Sequence, residues 1–227
     1  MDADLALIAA INDGLGAAAD PGRAPKMQAY MKSTMPYLGV SVPTVRAVTN
    51  AAARVHPPAS ALHLAASATA LWRGATHREQ RYAATELTGL RVATTSLALL
   101  ALYEEMITTG AWWDHVDATA PRAGQLLAAH PGELRPVLVA WSRSPDRWLR
   151  RASIIAQLGA GVRTDLALLT EVIDANATDR DFFVAKAIGW SLRDYARSDP
   201  EWVRGFVADG ATVLSSLSRR EATKHLA

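Results

Sequence analysis

The chain has 227 residues, of which 50% are hydrophobic and 20% charged, a composition that suits a globular fold with ample core. It has no cysteine, which excludes disulfides, cysteine-ligated metals and a cysteine nucleophile. The formal net charge is only +2, so affinity for an anionic partner has to come from local clusters of basic residues rather than from their sum.

The opening MDADLALIAAINDGLG carries early acids and no basic segment before its apolar stretch, unlike a secretory signal. No apolar run reaches the roughly 18 residues of a membrane span, so a cytoplasmic protein is expected. Leu5, Ile8, Ile11 and Leu15 recur at helical spacing. In YMKSTMPYLGVSVPTVR, Ser41 and Pro43 mark a helix start. Tyr30, Lys32 and Arg46 lie around it, where free N–H groups favour anions. HPPAS then breaks the chain, and THREQRY supplies Arg78 and Arg81. Leu97, Leu100, Tyr103 and Ile107 continue the helical pattern.

The segment TGAWWDHVDATAP concentrates Trp112, Trp113, Asp114 and Asp117. Read as a helix, it sets Trp113 and Asp117 on one face a turn apart and turns Trp112 and Asp114 elsewhere. Both tryptophans as core filler, with both aspartates solvated, is the competing reading. HPGEL and RSPDR separate further helices. Arg143, Arg147, Arg150 and Arg151 follow, a cluster that suits phosphate oxygens or else salt bridges to a neighbouring helix. Thr164-Asp165 and Asp199-Pro200 read as caps, and the windows TDLALLTEVID and EWVRGFVADGATVLSSL as amphipathic helices. Between them, Phe182, Lys186, Trp190, Arg193 and Arg197 form one stripe of alternating aromatic and basic residues. An unpaired buried cation is costly, so such a stripe fits a surface that meets a polyanion with flat bases. Gly189 inside this helix points to a close backbone approach, by a neighbouring helix or by a ligand. LSSLSRREATKHL ends the pattern, with Ser218 read as a helix start before Arg219, Arg220 and Lys224.

Roughly a dozen helices and no strand are expected, in a single domain over residues 1–227. Trp72, Trp113, Trp148 and Trp190 recur at roughly 40-residue intervals, the period of HEAT-like helix pairs. Such pairs stack into an α-solenoid with a concave face. No Walker loop, GxGxxG, HExxH or GxSxG motif is present, and the histidines do not group with carboxylates at metal spacing.

YMKSTMPYLGVSVPTVR, HREQRYAATELT, WWDHVD, WLRRASIIAQL, DFFVAKAIGWSLRDYARSDPEWV and LSSLSRREATKHL together resemble the DNA alkylation repair proteins of the AlkD type, in order from Tyr30 onward. The resemblance implies an all-α solenoid of HEAT-like repeats with a basic concave cleft. It implies a DNA glycosylase of base excision repair, acting on 7-methylguanine and 3-methyladenine in duplex DNA without flipping the base and without a cofactor; a monomer is the default expectation. It places the catalytic aspartate at Asp117, its paired tryptophan at Trp113, the site arginine at Arg151 with the adjacent Arg150 as the alternative, and the second tryptophan at Trp190. Asp117 would stabilise the sugar cation, and Arg151 would hold a backbone phosphate and keep Asp117 ionised. Tyr30, Lys32, Arg46, Arg147, Arg150, Lys186, Arg193, Arg219 and Arg220 would hold the DNA, drawing the protein to the nucleoid. A non-catalytic binder of distorted or branched DNA is the first alternative. The second is a helical protein-interaction scaffold, whose basic residues would be matched by acids.

Overall fold

The computed structural model describes residues 2–210 and 213–226, all of them in helices, turns and loops. These divide into two compact units, Met1–Leu102 and Tyr103–Ala227. No helix among the described residues is long and apolar enough to cross a membrane.

The first unit holds α1 (Leu5–Ala17), α2 (Ala24–Met31), α3 (Val42–Val55), α4 (Ala61–Arg73) and α5 (Arg78–Leu87), followed by a 3-10 turn at Leu97–Leu99. The side chains of Asp4, Ser41 and Ser60 accept hydrogen bonds from the first turns of α1, α3 and α4, each cap contributing about 1 kcal/mol. The α1 stripe is turned from the expected one. Leu7, Ile11 and Leu15 are fully buried, whereas Leu5 is exposed. Leu5 is the first helical residue, and α1 packs on α3, α4 and α5. The carboxylate of Glu79 is fully buried and accepts from the backbone N–H groups of Leu38, Gly39 and Val40, which fixes the loop entering α3.

The second unit begins within α6 (Leu100–Gly110) and continues with α7 (Trp113–Ala129), α8 (Pro131–Ser142), α9 (Arg147–Ile155), α10 (Leu166–Asp174), α11 (Phe182–Tyr195), α12 (Pro200–Asp209) and α13 (Ser216–Thr223). Four of these helices form a row: α7 packs on α9, α9 on α11, and α11 on α13. Helices α8 and α10 pack on α9 and on each other, and α12 packs on α11 and α13. This alternation is that of stacked helical repeats. Asp146, Asp165, Asp181 and Asp199 cap α9, α10, α11 and α12 through their carboxylates.

Two windows depart from the sequence reading. The amphipathic stretch 201–217 is not one helix: α12 stops at Gly210, and Ala211 and Thr212 lie outside the described residues. The last helix is capped by Ser215, whose hydroxyl accepts from the N–H of Ser218, and so begins at Ser216 rather than at Ser218. Arg219 therefore stands beyond the first turn. The Ser218 hydroxyl instead donates to the carbonyl of Ala185 and ties α13 to α11.

Candidate active site

The start of α7 separates the two adjacent tryptophans. Ala111 takes a left-handed φ of 42°, and Trp112 is extended as the N-cap, so the helix begins only at Trp113. Trp112 leaves the helix and packs against Trp148 at 6.0 Å and Phe183 at 5.4 Å between ring centroids. Its indole Nε1 is buried without a hydrogen-bond partner, which identifies a packing residue. Trp113 stays in the helix, one turn before Asp117.

Asp117 meets Arg151 because α7 and α9 approach closely at glycine. A Cβ on Gly124 would stand 1.9 Å from the carbonyl oxygen of Ala156, so no larger residue fits that crossing as it stands. One turn after Asp117, Pro121 has no N–H to offer the Asp117 carbonyl, and the helical ladder skips that bond.

Arg151 grips Asp117 with both edges of its fork. Nε donates to Oδ1 at 2.7 Å and Nη2 to Oδ2 at 2.8 Å, while Nη1 donates to the carbonyl of Phe183 at 2.6 Å. Side-chain exposure is 5% for Arg151 and 19% for Asp117. Each nitrogen of Arg151 thus already donates within the protein. Its guanidinium carbon also lies 6.0 Å from the Trp190 ring. Arg150, its neighbour, turns away and bonds Asp179 and the carbonyls of Ser144 and Pro145.

A cavity of 260 Å³ opens here, lined by Trp113, Asp117, Arg151, Phe182, Phe183, Lys186, Trp190 and Arg193. Burial pushes the Asp117 carboxyl above the usual carboxylate range, an effect that the hydrogen bonds and charge of Arg151 oppose and the nearby Asp114 adds to. Four residues from one face of α11 line the cavity, as the stripe predicts: Phe182, Lys186, Trp190 and Arg193. The close approach at Gly189 is made by a helix: a Cβ there would stand 2.4 Å from Cβ of Glu221 in α13. Trp72 and Trp148, the other members of the tryptophan series, are buried in the core.

Several of the arginines are matched by acids. Arg147 pairs with Asp181 at 3.1 Å and lies over the ring of Trp148, and Arg193 pairs with Glu221 at 2.5 Å. In the first unit Arg46 forks onto Glu86, Tyr30 is 76% exposed, and Lys32 is exposed at the end of α2. Lys186 lies 5.6 Å from the exposed ring of Phe182 and makes no ion pair within 4.0 Å. Arg220 is exposed, and Arg219 is half-buried with its Nε unpartnered. The carbonyl of Phe183 and the carboxylate of Glu221 are the members that sequence reading misses. No residue spacing announces an acceptor about 30 positions away on another helix. Among the described residues no group of three or more His, Asp or Glu could hold a metal ion.

A family model for DNA alkylation repair enzymes matches residues 11–226. A solved structure described as a predicted DNA alkylation repair enzyme from Enterococcus faecalis superposes with a TM-score of 0.82 at 32% identity. The match covers 92% of this chain and 97% of that one. No protein with a curated description matches. The helical row, the family match over nearly the whole length and the structural likeness agree, and the chain belongs to the DNA alkylation repair enzyme family.

Proposed function

We propose that the protein is a DNA glycosylase that hydrolyses the N-glycosidic bond of cationic alkylated purines, such as 7-methylguanine and 3-methyladenine, in duplex DNA. The observation that carries this reading is a carboxylate clamped by a buried guanidinium in a cavity walled by two tryptophans. An alkylated purine already bears positive charge and leaves without a general acid. As the bond breaks, charge moves to the deoxyribose as an oxocarbenium ion. Asp117 supplies a fixed counter-charge, and its remaining lone pairs orient the attacking water. The faces of Trp113 and Trp190 attract the same cation by about 0.5–2 kcal/mol each. Arg151 holds both carboxylate oxygens in place, a role its geometry supports better than a grip on phosphate.

Cleavage without base flipping fits the size of the site. Ligand pockets usually span about 300–1,000 Å³, and this cavity, at about 260 Å³ and open to solvent, lies at the lower edge of that range. It suits a sugar edge better than a whole extruded nucleotide. Lys186 and Arg220 in the second unit, with Tyr30 and Lys32 in the first, meet phosphates first, because none of them is held in an ion pair. Arg46, Arg147, Arg150, Arg193 and Arg219 contribute more weakly, most of them being committed to carboxylates or carbonyls. The act takes place at the nucleoid and starts base excision repair.

The matching of arginines by acids supports a second reading, a helical scaffold for protein partners. Duplex DNA carrying 7-methylguanine separates the possibilities. Wild-type protein is expected to release free base, and Asp117→Asn to lower the rate by about 10²-fold or more. Duplex binding without base release would replace the glycosylase with a non-catalytic binder of distorted or branched DNA. No salt-sensitive duplex binding would leave the scaffold.

A further inference from the structure

Around the cavity the charges do not balance. Arg151, Lys186 and Arg193 line it, against Asp117 alone. A cationic base and an oxocarbenium ion would both be repelled by that excess. Glu221 corrects it from outside the lining. Its carboxylate accepts from Nη1 of Arg193 at 2.5 Å, and its backbone carbonyl accepts from the same nitrogen at 3.3 Å. Nε and Nη2 of Arg193 make no hydrogen bond within the protein. Glu221 is held in place by the close α11–α13 crossing at Gly189, and Arg193, Lys186 and Lys224 all bear on its charge. Arg193 therefore carries its charge to the cavity already partly neutralised, with Nη1 fixed and Nε and Nη2 free.

We infer that Glu221 is a specificity-determining residue, a built-in stand-in for a phosphate. It weakens the hold of Arg193 and Lys186 on ordinary DNA backbone and keeps the cavity receptive to a positively charged nucleotide. This rests on the proposed glycosylase reading for the nature of the lesion, but the affinity for undamaged duplex is read independently of any base release. The two consequences move in opposite directions when the charge is removed, and loss of a packing contact does not produce that pattern.

The experiment compares wild type, Glu221→Gln and Glu221→Asp on undamaged duplex and on duplex containing 7-methylguanine, across a salt series, with thermal denaturation alongside. Glu221→Gln is expected to bind undamaged duplex more tightly, with a log K against log salt slope steeper by about 0.9, one further phosphate contact. Its preference for the lesion, and kcat/KM for base release, are expected to fall. Glu221→Asp keeps the charge and is expected to retain the wild-type slope. An unchanged slope in a folded Glu221→Gln protein, or weaker duplex binding by it, would overturn the inference, as would a wild type that binds no duplex. A wild type that binds duplex with these slopes but releases no base supports the role of Glu221 in backbone binding and removes the glycosylase reading alone.

Discussion

Asp117 and Glu221 each face an arginine, yet their protonation is driven in opposite directions. For Asp117 burial outweighs Arg151, and the carboxyl titrates above its usual range. For Glu221 the hydrogen bond from Arg193 outweighs burial, and the carboxyl titrates below it. The linkage signs follow. Folded protein holds the Asp117 proton longer than unfolded chain does, so this residue removes stability as pH rises from the ordinary carboxylate value to the raised one. Glu221 contributes stability at higher pH and loses it as pH falls from the ordinary value through the lowered one. In the proposed mechanism base release needs Asp117 ionised. Its pH–rate profile is therefore expected to fall on the acid side at an inflection above the usual carboxylate range, and an inflection at the ordinary value would contradict the role of burial. The stability difference between wild type and Glu221→Gln is expected to vanish in acid, as thermal melts across pH would show. Arg151→Met leaves a largely buried carboxylate without its partner. Such a break costs about 3–5 kcal/mol, so the variant should lose much of its thermal stability as well as activity.

At the scale of elements, two glycines set how closely helices cross. Gly124 brings α7 onto α9, and Gly189 brings α11 onto α13. A methyl group at Gly124 would push into the Ala156 carbonyl and spread the pair that joins Asp117 to Arg151. Gly124→Ala is expected to cost about 1–3 kcal/mol in denaturant unfolding and to slow base release out of proportion to that loss. If the melt shifts but the rate at low temperature does not, the crossing does not govern the site. Helix starts at Ser41, Asp165 and Asp199 are legible in the sequence because short polar side chains bond their own first turns. The start of α13 is not, since Ser215 and Ser218 both suit a cap and only packing on Ala185 decides between them. The pairing of Trp113 with Asp117 is legible for the same local reason, being one turn of one helix.

Across the whole molecule, the stripes of basic residues read from the sequence turn out to be mostly ion pairs. Charge type and spacing are local, whereas Asp179, Asp181 and Glu221 reach their arginines from about 30 residues away through packing that no local pattern states. Arg143, Arg147, Arg150 and Arg151 are thus all held in ion pairs, whereas Lys32, Lys186 and Arg220 are not. Lys186→Gln is expected to flatten the salt dependence of duplex binding by about 1 in slope with little effect on stability. Arg150→Gln removes bonds to Asp179 and two carbonyls, and is expected to lower the melting temperature while leaving the slope nearly unchanged. Equal slopes for Lys186→Gln and wild type would place the phosphate contacts elsewhere.

The proline one turn beyond Asp117 has a mechanical meaning. With no amide hydrogen at Pro121, the turn of α7 that carries Trp113 and Asp117 is one rung short of being locked to the rest of its own helix. The fork of Arg151 restores from the side the tether missing along the axis. That fork fastens the turn through the same carboxylate that would meet the reacting sugar. Any event that draws Asp117 toward a substrate cation also loosens the peg that seats it, so occupancy of the site and the stiffness of this turn are two readings of one bond.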